Sequence, residues 1–104
     1  MAGEERLKAL RYEPEATEEM QSGRDDSSDP KAFDEELFSA LDLLASCKVM
    51  GGRIGPKSFR QWILPRLPYS LIYRDRDGEI RVFAFAHHKR RPGYWRDRLN
   101  NTPL

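Results

Sequence analysis

Cysteine occurs once in 104 residues, at Cys47, so the chain has neither an intrachain disulfide nor a thiolate metal site, which fits a reducing compartment. Its two histidines, His87 and His88, are neighbours that point to opposite faces of a strand and cannot jointly ligate one ion. No metal and no cofactor is expected. Nothing near Met1 pairs a charged segment with an apolar one, and no apolar run approaches the ~18 residues of a membrane helix. A cytoplasmic protein without membrane contact is the expectation. Also missing are a Ser-His-Asp order and a phosphate-cradling loop, since the glycines at Gly51, Gly52 and Gly55 precede no helix. Acid, finally, is scarce in one half. Thirteen Lys and Arg face four Asp and Glu from Lys48 to Leu104, against five and thirteen from Met1 to Cys47, giving +9 and −8 within a net charge of +1.

What is present suffices for one domain, residues 1–104, with a single modest core. Residues 8–12 form a candidate first strand, and Pro14 with Glu15, Glu18 and Glu19 suits a helix entrance. That helix is expected to stop at Met20, before a mobile loop over 22–29 rich in Ser and Asp. Asp29 then reads as an N-cap with Pro30 behind it. Phe33, Leu37, Ala40, Leu41 and Leu44 repeat at helical spacing toward a stop at Gly51-Gly52. Strands follow at 59–64, 69–74 and 79–88, the last two joined by an Asp-Gly hairpin. Residues 100–104 read as a frayed tail. The fold class is α+β: two N-terminal helices on one face of a small, mainly antiparallel sheet of three to four strands, followed by a basic tail.

Strict alternation in the last strand puts Ile80, Val82, Ala84 and Ala86 on one face and Arg81, Phe83, Phe85 and His87 on the other. The apolar face is expected to meet the helices. The mixed face is expected to serve a partner. Lys89, Arg90 and Arg91 make a cationic run, and the adjacent Tyr94 and Trp95 supply rings of the kind that anchor interfaces or stack on bases. His87 is the better of the two histidines for proton transfer. The upstream cations Arg53, Lys57, Arg60 and Arg66 bracket the sheet as candidates for a basic groove.

Several short motifs, in their order, carry a likeness to a known family: Glu13 to Ala16 (EPEA), Leu67-Pro68-Tyr69, the strands SLIYR and IRVFAFAHH, and the RRPGYW tail. Together they resemble the RelE/ParE toxin superfamily, with a lean to its ParE-like branch. The resemblance implies a bacterial type II toxin-antitoxin module concerned with plasmid stabilization, and a cognate antitoxin forming a hetero-oligomer with the toxin. It further implies growth inhibition through DNA gyrase. The alternative within the superfamily is a RelE-like mRNA endonuclease acting on the ribosome, for which Arg60, Arg66, Arg81, His87 and Tyr94 are the candidate catalytic residues. The candidate partner-binding residues are Tyr73, Arg81, Phe83, Phe85, Lys89, Arg90, Arg91 and Trp95. The interval from Ala16 to Phe33 is short for the family's helical hairpin, which suggests an eroded hairpin and admits an inactive toxin that only binds its antitoxin.

Overall fold

The computed structural model describes residues 7–55 and 58–102. Strand β1 (Ala9–Tyr12) leads through Glu13 into helix α1 (Pro14–Asp26), with Pro14 in the first turn where its missing N–H costs nothing. The helix does not stop at Met20. It runs through most of the expected loop, leaving only 27–29 as a connection, because tertiary contacts outweigh the poor helix propensity of Ser22, Gly23 and Asp25. Gly23 is buried so closely that a Cβ there would lie 2.8 Å from the Tyr69 hydroxyl and 3.0 Å from the Phe33 ring. Arg24 pairs with Asp34 of the next helix at 3.0 Å. The helical hairpin is therefore formed and packed, not eroded.

Helix α2 (Pro30–Ala45) begins as its sequence announces: the Ala32 N–H donates to the Asp29 carboxylate at 3.2 Å. Its end comes at Ala45, earlier than the glycine pair. Cys47 adopts a left-handed conformation, φ 60°, while the Cys47 and Lys48 N–H groups return to the carbonyls of Leu44 and Leu43. This is a Schellman closure with cysteine in the seat glycine usually takes.

Beyond it lie β2 (Gly52–Arg53), β3 (Phe59–Ile63), β4 (Tyr69–Arg76) and β5 (Glu79–His87), then a short helix α3 (Arg96–Asn100). The sheet has five strands in the order β1-β5-β4-β3-β2, antiparallel except for the parallel β1–β5 pair. The hairpin forms as expected: Arg76 pairs with Glu79 around Asp77 and Gly78, both at positive φ, as a two-residue primed turn requires.

Strict alternation fails in β5. Ile72 pairs with Ala84 but Tyr73 pairs with Val82, so Phe83 is an extra residue in the ladder. One inserted residue exchanges the faces of everything after it. Ile80, Val82 and Phe85 consequently join Ala16, Phe33, Leu41, Leu44, Leu71 and Tyr73 in the core beneath the helices. Phe83, Ala84 and Ala86 join Phe59, Ile72, Trp95 and Leu99 in a second core on the opposite face. The sheet is covered on both sides. The expectation that Phe83, Phe85, Tyr73 and Trp95 present themselves to a partner is overturned: the first three are at most 1% exposed and Trp95 5%. Rings of this size inside a small domain supply the burial that folding requires.

Among the described residues no helix is long and apolar enough to cross a membrane, and no group of three His, Cys, Asp or Glu side chains could hold a metal ion.

Candidate functional site

The chain after β5 turns back over the second sheet face rather than trailing into solvent. Gly93, at φ +76°, makes the bend that delivers Trp95 and Leu99 to the second core. Asn100 closes α3, and the Asn101 and Thr102 N–H groups bond back to Asp97 and Leu99, so the expected fraying is absent as far as Thr102; Pro103 and Leu104 lie outside the described residues.

One half-buried acid, Glu19, fastens this segment. Past the last β1 rung, where the Glu13 N–H meets the Val82 carbonyl at 2.9 Å, the edge of β5 lacks a strand neighbour. Two side chains take its place. The Phe85 N–H donates to Glu19 at 3.1 Å, and Arg98 donates to the Phe83 carbonyl at 3.1 Å. Glu19 also receives Arg98 at 2.9 Å, Arg90 at 3.0 Å and the Tyr94 hydroxyl. Burial pushes the Glu19 carboxyl up, but hydrogen bonds from Arg98, Tyr94 and the Phe85 N–H outweigh it and hold the group below the usual glutamate range. Burial and the bond to Glu19 raise the Tyr94 phenol well above its ordinary value. Tyr94 is thus a neutral donor engaged with Glu19.

The turned-back segment forms one side of a groove of about 340 Å³. Gln61, Ile63, Ser70 and Ala86 line its sheet side, while His88, Arg91 and Arg96 contribute from the other. Among the described residues no carboxylate lines it. The Ser70 hydroxyl, on a buried residue, lies 3.2 Å from His88 Nε2. Arg96 rests over the Trp95 ring at 5.3 Å. Planar cations in a carboxylate-free groove can take up carboxylate or phosphate groups.

Of the five candidate catalytic residues, His87 and Tyr94 both line the groove, while Arg60, Arg66 and Arg81 do not. Arg81 and His87 sit six residues apart on one strand, about 20 Å at ~3.3 Å per residue. Arg60 donates to the Gly51 carbonyl at 2.7 Å, and Arg66 stands exposed on the β3–β4 connection, 3.8 Å from Glu36. His87 Nδ1 accepts the Lys89 N–H at 3.0 Å, so a proton on this ring belongs on Nε2. Tyr94 is occupied as described. Of the candidate partner-binding residues, Lys89, Arg90 and Arg91 are exposed, with Arg90 tied to Glu19 and stacked over Tyr94 at 3.6 Å. Lys57 lies outside the described residues. Sequence reasoning missed Glu19 and Arg98 as a pair. They stand 79 positions apart, and the only trace they leave is the opposite charge of the two halves.

A helical hairpin on one face of a five-stranded sheet and a basic segment folded over the other define a small α+β module with a groove lined in part by arginines. The family model of the ParE toxin of type II toxin-antitoxin systems (parDE) matches residues 10–92. The chain belongs to the ParE toxin family. A solved structure described as the chromosomal ParDE TA system from P. aeruginosa is similar to it in fold, with a TM-score of 0.63 at 16% identity, covering 78% of this chain and 96% of that one. A comparison with curated proteins finds no match.

Proposed function

We propose that this ParE-family toxin arrests growth by binding DNA gyrase, and that a cognate antitoxin neutralises it. Family membership over residues 10–92 supports the toxin role. The observation that favours the gyrase reading over mRNA cleavage is that the candidate cations Arg60, Arg66 and Arg81 do not line the groove that His87 and Tyr94 share, while the Tyr94 hydroxyl is taken up by Glu19. General acid-base work needs its groups free and within hydrogen-bond reach of one reacting centre. The intact α1–α2 hairpin also removes the reason to regard the chain as an eroded, inactive relative.

The test is induced expression of the full chain in a bacterial host, read as growth, cell length and SOS response, alongside a supercoiling assay with purified gyrase. Growth arrest with filamentation, SOS induction and lost supercoiling is expected, and co-expression of the antitoxin should relieve it. Arrest of protein synthesis with cleaved ribosome-bound mRNA and no SOS response would replace this reading with the endonuclease one. Normal growth with abundant folded protein would remove both.

A further inference from the structure

The turned-back segment gathers cations that few acids answer. No Asp or Glu falls between Glu79 and Asp97, and Lys89, Arg90, Arg91 and Arg96 crowd the end of that interval. Arg90 is shared with Glu19. Arg91 and Arg96 form no ion pair among the described residues, and both line the groove of about 340 Å³ on the sheet face away from the helices. Arg96 is exposed yet held in place. Its guanidinium lies 5.3 Å from the Trp95 ring centroid, and its stem folds against Gly93, where a Cβ would meet Nε at 2.6 Å. At the floor the buried Ser70 hydroxyl and His88 Nε2 lie 3.2 Å apart. Whichever of them holds the proton between, the pair keeps one further O–H or N–H for a phosphate oxygen.

Guanidinium groups without counter-charge repel one another, and an incoming anion removes that repulsion; where one of them is already fixed, little new ordering is needed. We propose that this groove grips the phosphate backbone of duplex DNA; that the duplex is the one gyrase holds rests on the gyrase reading above. A duplex carries one negative charge per ~1.7 Å of its axis, and neutralising its phosphates releases condensed counterions, a gain an acidic peptide does not offer. Single strands, by contrast, are held by open rings on which bases stack. No such ring faces this groove: Trp95 is buried, and Tyr94 carries Arg90 at 3.6 Å and Arg98 at 5.1 Å from its centroid. Most of the acidic first half forms the two helices on the opposite sheet face, which turns the basic face toward a polyanion. Contacts of this kind position the protein on DNA and read no sequence.

The test is fluorescence anisotropy of a labelled duplex of about 20 base pairs titrated with the full chain at about 50 to 200 mM salt, beside a single-stranded RNA and a Glu-rich peptide. Saturable duplex binding is expected, with log K falling against log salt at a slope of about −2 for two phosphate contacts. Arg91→Gln together with Arg96→Gln should weaken the duplex about tenfold or more and flatten the slope, whereas Lys31→Gln, an equal loss of charge on exposed α2, should leave it within about twofold. Should the double variant not fold, Arg91→Gln alone, on an exposed side chain, carries the test with a slope smaller by about 1. Equal loss in Lys31→Gln, no saturable duplex binding, or arginine-dependent binding of the RNA or the peptide tighter than of the duplex overturns the site. Purified gyrase separates the two readings. Arginine-dependent duplex binding by a chain that leaves supercoiling untouched keeps the site and removes its assignment to gyrase, whereas supercoiling inhibited as fully by the double variant as by the parent chain keeps the toxin and overturns the contact with gyrase-held DNA.

Discussion

Cys47 stands where a helix end of this geometry most often carries glycine. At φ 60° its Cβ crowds the backbone, a strain of about 1 kcal/mol that glycine does not bear. The side chain is exposed, so little packing is lost with it. Cys47→Gly is therefore expected to stabilise the chain by about 0.5–1 kcal/mol, seen as a rise of several degrees in the thermal midpoint. An unchanged or lower midpoint would mean that the thiol contributes more than its exposure suggests. Gly51 makes the opposite case. A Cβ there would sit 2.5 Å from the Gln61 carbonyl oxygen, and the Gly51 N–H donates to the buried Tyr73 hydroxyl at 2.8 Å. Gly51→Ala must push backbone against backbone, and a loss of about 1–3 kcal/mol in chemical denaturation is expected. The sequence reads Gly51 as a helix stop, and that assignment does not hold, because the helix closes earlier, at Cys47, and the close approach of β3 at Gly51 depends on partners that the local sequence does not show.

Among the elements, the strand-and-helix order was legible wherever a local rule decides it: the Asp29 cap, the Phe33 to Leu44 stripe and the Asp77-Gly78 turn all act within a few residues. The second core was not legible. Its presence hangs on the single extra residue Phe83, and nothing in IRVFAFAH distinguishes a bulged strand from a regular one until Ile72 and Tyr73 fix the register. The same shift hid the site, since it turned the supposed partner rings inward and left the clasp around Glu19 to organise the surface. That clasp joins α1, β5 and the segment through α3, so its loss should be felt in all three. Glu19→Gln removes the charge that Arg98 and Arg90 share while keeping a side chain of nearly equal shape. A loss of about 2 kcal/mol is expected, with hydrogen exchange rising first at Tyr94 to Leu99 and in α1. Uniform acceleration across β3 and β4 instead would show that the clasp holds the whole sheet and not its edge.

For the whole molecule, the acidic first half and basic second half meet at Glu19, which makes its ionisation a determinant of stability against pH. A carboxyl held below its unfolded value contributes stability that is fully present above the ordinary glutamate range and is lost as pH falls through the folded value. The acid limb of the stability curve should therefore begin below roughly pH 5. The alkaline limb has the reverse sign. Lys8 is raised by its hydrogen bond to Asp75, and Tyr94 is raised by burial and by its bond to Glu19, so both contribute stability present below about pH 10 and lost as pH rises further. Urea midpoints measured from pH 3 to 11 should form a dome. In Glu19→Gln the acid limb should flatten by on the order of 1 kcal/mol between pH 5 and 3, and the alkaline limb should soften as well, because Tyr94 loses the charge that opposes its ionisation. In Lys8→Met the alkaline limb should flatten. An acid limb as steep in Glu19→Gln as in the parent chain would assign the loss at low pH to other carboxylates and separate the clasp from the pH dependence of the fold.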